Sequence, residues 1–118
     1  MFYNTLKVEK ISSNEWKLLD DLVYIDEKHG PIGIPVNYVT DFASVPRLPI
    51  VFDFFGGMAH AAGTVHDYLY DNGKLTKSEC DMVFYRALRD DGIGLVRSYI
   101  MYSAVKLFGF IAFKNARS

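Results

Sequence analysis

Pro46 and Pro49 stand three residues apart near the middle of the chain, and no long helix can run through them. Each removes a backbone donor and biases the residue before it towards extended geometry. The segment Thr40-Asp41-Phe42-Ala43-Ser44-Val45-Pro46-Arg47-Leu48-Pro49 is therefore expected to be a structured loop, in which Asp41 and Ser44 can bond back onto the backbone. On its two sides the hydrophobic pattern differs in kind.

Residues 1–40 have β character. Glu15-Trp16-Lys17-Leu18-Leu19 and Leu22-Val23-Tyr24-Ile25 are short runs rich in aromatic and branched side chains, and Asp20-Asp21 between them predicts a hairpin turn. His29-Gly30-Pro31 breaks the pattern, and Ile32-Gly33-Ile34-Pro35-Val36 resumes it as an extended piece whose proline suits an edge. Beyond the loop the period becomes helical. A first helix is predicted over 58–71, with Gly73 as a left-handed cap. Thr76-Lys77-Ser78-Glu79 is a capping box opening a second helix that ends near Asp90. After Asp91-Gly92-Ile93-Gly94 a third helix is expected over 95–113. Strands first and helices afterwards define an α+β domain: a small N-terminal antiparallel sheet on a C-terminal antiparallel helical hairpin plus a third apolar helix.

Composition narrows the function classes. The chain has 118 residues, half of them apolar, with 13 basic against 14 acidic, which describes one globular domain over 1–118 and excludes a disordered chain. The balanced charge, with no basic run, argues against nucleic acid as partner. Cys80 stands alone, so neither an intrachain disulfide nor a four-thiolate zinc site can form. Met1-Phe2-Tyr3-Asn4-Thr5-Leu6-Lys7 lacks the pattern of a secretory leader. The most apolar stretch, residues 99–113, is shorter than the roughly 20 residues that span a bilayer and has Lys106 in its middle. A core helix is expected there, with a partner or membrane-surface contact as the alternative.

The chemistry-bearing residues gather in the helical half. His66 and Asp81 are about equally far from a turn centred near residues 73 and 74, so an antiparallel hairpin sets them at one level. A carboxylate beside an imidazole fixes its tautomer and stabilises the imidazolium, as a water-activating base requires. Asp67 points to the adjacent sector, where it could hold a cation. Tyr70 and Tyr85, four residues after His66 and Asp81, can each reach the cluster. The structural alternative is a buried polar pair that performs no chemistry, with Asp41 and Ser44 tying down the loop and Arg47 pairing with a carboxylate or anchoring an anion.

His66-Asp67-Tyr68-Leu69-Tyr70 with Cys80-Asp81 resembles the helix pair of the phospholipase A2 superfamily. That resemblance implies His66 as base, Asp67 as calcium ligand, Asp81 as the carboxylate orienting the histidine and Tyr70 as its supporting hydrogen bond. The chain departs from that family upstream, where only Gly56-Gly57 could stand for the glycine-rich calcium loop, and in lacking disulfides. Over residues 32–92, Thr40-Asp41-Phe42-Ala43-Ser44-Val45-Pro46-Arg47, Ala61-Ala62 and His66-Asp67-Tyr68-Leu69-Tyr70 resemble a family of small tailed-phage and prophage proteins. This second resemblance implies a phage origin, a place in the host cytoplasm or the virion, and one constellation of Asp41, Ser44 and Arg47 with His66 and Asp67.

Two functions are thus expected: a cation-assisted ester or lipid hydrolase, or a virion or assembly component, with a factor that binds a host protein or small molecule as a lesser third. Phage structural proteins, a lipid surface or a second copy are the candidate partners. Other chemistries are disfavoured. His60, seven residues before Asp67, and the distant His29 give no zinc spacing. Cys80 lies between Glu79 and Asp81, whose charges oppose a thiolate. Ser44 lacks a nucleophile elbow, and there is no phosphate-cradling glycine loop. Phe52, Phe54 and Phe55 could plug the core or meet a lipid or partner.

Overall fold

The computed structural model describes residues 1–41 and 59–117. Five strands come first: β1 (Val8–Lys10), β2 (Trp16–Leu18), β3 (Leu22–Asp26), β4 (Gly30–Ile34) and β5 (Val39–Thr40). Among the described residues four helices follow: α1 (His60–Asn72), α2 (Lys77–Asp90), α3 (Leu95–Phe108) and α4 (Phe110–Ala116). The fold is α+β, as the order of patterns predicts.

All pairing is antiparallel, but it forms two sheets rather than one. β2 lies between β1 and β5, with Val8 opposite Leu18 and Trp16 opposite Thr40. β3 pairs with β4, with Leu22 opposite Ile34 and Asp26 opposite Gly30. The expected hairpin through Asp20-Asp21 is therefore wrong: β2 and β3 belong to different sheets. The two aspartates act locally instead, Asp20 Oδ1 accepting the N–H of Asp21 and Asp21 Oδ1 the N–H of Val36, so the chain crosses between sheets rather than turning back. The hairpins among the described residues are β1–β2 and β3–β4, and the second has the tighter turn. There Asp26 Oδ2 accepts the N–H groups of Lys28 and His29, and Gly30 takes the positive φ of 78° that closes the turn.

The helix signals hold at α1 and α2. Gly73 caps α1 in the left-handed region at φ 75°. Thr76 accepts the Glu79 N–H while the Glu79 carboxylate accepts the Thr76 N–H. The predicted third helix is broken, however. α3 and α4 meet at 62° about Gly109, where an added Cβ would stand 2.4 Å from the Val105 carbonyl oxygen and 2.9 Å from the Tyr70 hydroxyl.

Leu18, Leu22, Tyr24, Ile32 and Ile34 from the strands meet Val65, Leu69, Val83, Phe84 and Leu88 from the α1–α2 hairpin in one core. One buried ion pair joins the two halves. Asp26 accepts from Arg86 Nε at 2.8 Å and from its Nη2 at 3.1 Å, tying β3 to α2. Burial pushes the Asp26 carboxyl up, but the guanidinium bonds and the His29 and Lys28 N–H groups outweigh it and hold it below the usual range.

Candidate functional site

The α1–α2 hairpin brings His66 and Asp81 to the same level and buries both, at 1% and 2% exposure. The His66 Nε2 nitrogen lies 2.7 Å from Asp81 Oδ1. The Tyr70 hydroxyl donates to the same oxygen at 2.7 Å. The other oxygen, Oδ2, accepts from Lys77 Nζ at 2.6 Å.

Lys77 is the member that sequence reasoning missed. Its position four residues before Asp81 was the available signal, since such pairs share a helix face. Besides Asp81, its ammonium donates to the carbonyls of Val105 at 3.0 Å and Lys106 at 3.2 Å in the last turn of α3, the first of which also accepts the Gly109 N–H. Lys77 therefore balances the Asp81 charge, and His66 need not do so.

The protonation states follow from that balance. Burial lowers the His66 pKa more than Asp81 raises it, so the imidazole is neutral. Burial raises Asp81, but the bonds from His66, Lys77 and Tyr70 together hold it below its usual value. Burial first, then the bond to ionised Asp81, pushes the Tyr70 phenol up, so it remains a donor. With Asp81 ionised, Nε2 must carry the proton, and Nδ1 is left with the lone pair. Nδ1 is buried and has no hydrogen-bond partner among the described residues. The ring is wedged between Tyr70 and Phe84, with centroids 4.1 Å and 4.8 Å away.

Asp67 faces elsewhere, as its offset on the helix predicts. Its Oδ2 accepts the Thr40 hydroxyl at 2.6 Å and the Asp41 N–H at 3.1 Å, so it ties the end of β5 to α1. A cleft of about 350 Å³ lies alongside, lined by Thr40, Asp41, Asp67, Tyr70 and Asp71 among others. Its Asp71 accepts from the Tyr38 hydroxyl at 2.6 Å. Among the described residues no three His, Cys, Asp or Glu side chains are grouped to hold a metal ion.

Ser44, Arg47, Gly56, Gly57 and the three phenylalanines at 52, 54 and 55 lie outside the described residues. Tyr85 does not join the cluster: its ring packs edge-on against Tyr102, 5.7 Å away, while Phe84 fills the place beside the imidazole. His60 lies 6.4 Å from the Trp16 ring, and its backbone carbonyl takes the Thr64 hydroxyl. Cys80 is buried, which pushes its thiol up to about 11 and makes it inert. Arg117, also missed, donates to the carbonyls of Leu69 and Tyr70 in the last turn of α1 and holds α4 against the site.

Fold and site together define an α+β domain whose helical hairpin buries a histidine–carboxylate pair between a tyrosine and a lysine. The chain belongs to the DUF1353 family, described as a protein of unknown function, whose model matches residues 16–105. That span runs from β2 into the last turn of α3 and contains every member of the buried network. No curated protein and no solved structure matches the chain.

Proposed function

We propose that the chain hydrolyses ester bonds with His66 as general base, the role implied by its resemblance to the phospholipase A2 helix pair. The observation that carries this reading is the His66 ring: Nε2 is held by Asp81, while Nδ1 is buried with no partner among the described residues. A histidine kept for packing alone gains nothing from an unmet ring nitrogen, which costs about 1–3 kcal/mol when buried. In the reaction Nδ1 takes a proton from water as its oxygen attacks the ester carbonyl, and later returns it to the leaving alkoxide. Asp81 and Tyr70 hold the ring in place, and Asp81 stabilises the imidazolium. Calcium at Asp67 would polarise the carbonyl when bound, but the described residues do not assemble its ligands, so no step is drawn through it.

The test is turnover of chromogenic short-chain esters and dispersed phospholipid by purified protein, with and without calcium, beside His66→Gln. Wild-type turnover should fall about 10³-fold or more in the variant with the fold retained. Absence of turnover for both ester classes, or an equally active variant, would end the proposal.

A second reading is favoured by the burial of His66 and Asp81 and by the three donors that converge on Asp81. Here the network is structural, and the chain is a phage virion or assembly component, as the second resemblance implies. Co-purification with phage particles supports it, and a monomer absent from particles counts against it.

A further inference from the structure

α3 and α4 are apolar on more than one side, and only one side meets the core. Ser98, Ala104 and Val105 are buried, whereas Val96 is 71% exposed, Ile100 43% and Leu107 64%. Val96, Ile100, Ser103 and Leu107 follow one another at spacings of four, three and four, so they form a single stripe along α3. Past the bend, Phe110 and Ile111 continue the exposed apolar surface at 58% and 60%.

The charges that α3 and α4 themselves carry are of one sign. Residues 95–117 contain Arg97, Lys106, Lys114 and Arg117 and no aspartate or glutamate, although the chain as a whole carries one more acid than base. Arg97, Lys106 and Lys114 are exposed, while Arg117 is engaged with α1. At about 100° per residue, Arg97 and Lys106 fall on opposite flanks of the stripe. Tyr99 is exposed beside it and Tyr102 half-buried, two rings with an apolar body and a polar tip.

We infer that the α3–α4 face docks on an anionic lipid surface, with the stripe in the acyl boundary and the cations among the headgroups. An apolar face edged by lysine and arginine and flanked by aromatics is the pattern of a helix lying in the membrane plane. Charge complementarity selects this occupant over a second copy, because a pair formed through this face would bring two sets of cations together with no carboxylate of residues 95–117 to meet them. A surface pose also suits the 62° bend and the lysine close to it better than a crossing does; no single helix among the described residues is long and apolar enough to span a bilayer. The inference does not depend on hydrolysis, and it names lipid as substrate class if the proposed activity holds.

The test is co-sedimentation with vesicles of phosphatidylcholine alone or mixed with phosphatidylglycerol, using wild type and His66→Gln so that binding is read without turnover. Both should bind the mixed vesicles and bind phosphatidylcholine weakly. Lys106→Gln with Lys114→Gln should weaken binding about 25-fold, roughly five-fold for each cation removed, and added salt should weaken the wild type's binding. Ile100→Glu with Leu107→Glu should abolish binding while far-ultraviolet circular dichroism is unchanged; should that pair misfold, the serine substitutions carry the test. Wild type that ignores mixed vesicles, or binding that none of these changes affects, overturns the inference. So does a dimer dispersed by the glutamate pair without vesicle binding, which would assign the face to a second copy.

Discussion

Replacing Asp81 by Asn keeps the shape of the side chain and removes its charge, and the surrounding bonds dictate how the amide must sit. Lys77 Nζ, 2.6 Å from one oxygen, can only donate, so the amide oxygen turns to it. The NH₂ group then faces the Tyr70 hydroxyl and His66 Nε2, both 2.7 Å from the other oxygen in the wild type. To accept there, Nε2 must surrender its proton to Nδ1, and the lone pair assigned to catalysis disappears. Three bonds to an ionised carboxylate become bonds to a neutral amide, at a loss of about 1 kcal/mol each and about 3 kcal/mol together. For a chain of this length that lowers the melting temperature by about 10 °C. Hydrolysis, if His66 is the base, should fall about 10⁴-fold, far more than the lost stability explains. Long-range ¹⁵N–¹H correlation of the imidazole reads the tautomer directly and needs no substrate: the wild type should carry its proton on Nε2 and Asp81→Asn on Nδ1. A wild type protonated on Nδ1, or an Asn variant still protonated on Nε2, would refute the reasoning whatever the kinetics show.

Acid should destabilise the fold in two stages. Because burial holds the His66 pKa below 6.5 in the folded state, the unfolded chain binds more protons as pH drops below that value, and stability falls from there down to the folded pKa. The depressed carboxyls of Asp81 and Asp26 add a second loss below about 3.8; urea titrations across pH should show both, with the first reduced in His66→Gln to what His60, also lowered by burial, supplies. Arg86→Met leaves Asp26 buried and ionised without its guanidinium, and equilibrium unfolding should register a loss of about 3–5 kcal/mol. Gly109→Ala forces the Val105 carbonyl or the Tyr70 hydroxyl to move, costing about 1–3 kcal/mol by thermal melting and shifting the Tyr70 ring resonances, whereas Gly33→Ala, where a Cβ meets nothing within 4 Å, should do neither. Thr76→Ala removes one arm of the capping box and should cost about 1 kcal/mol.

What could be read from the sequence was whatever neighbouring residues settle among themselves. The Gly73 cap and the Thr76–Glu79 box depend on a few consecutive residues, and both fell where expected. The meeting of His66 and Asp81 was legible for a related reason: a short turn with equal arms leaves an antiparallel pair little choice of level. The sheets were not legible, because strands of two to five residues take their partners from contacts far along the chain. Trp16 pairs with Thr40, and nothing near Trp16 says so. Asp20 and Asp21 misled because the same side chains that favour a turn can equally tie down a crossing. The break at Gly109 was hidden in an apolar run, and one of the groups crowding that glycine, the Tyr70 hydroxyl, lies 39 positions earlier.

Lys77 shows why a site that is half legible still needs its geometry. Read alone, it is an ordinary residue in the first turn of a capped helix. In place, it neutralises Asp81, takes up two end carbonyls of α3 and so lets His66 remain uncharged. Burial is the larger cause of the bare Nδ1, and the ammonium on Asp81 Oδ2 adds to it by making a second positive charge beside the carboxylate less favourable. The same ammonium joins the polar centre to the helix whose outer face we assign to lipid, so Lys77→Met should perturb both at once. Loss of the ammonium should raise the His66 pKa, seen in the pH dependence of its ring resonances, and loosen the end of α3, seen as faster amide exchange at Gly109, whose N–H bonds to the Val105 carbonyl. A His66 titration unchanged in Lys77→Met would mean that burial alone keeps the ring neutral, and the balance of charge argued here would be wrong.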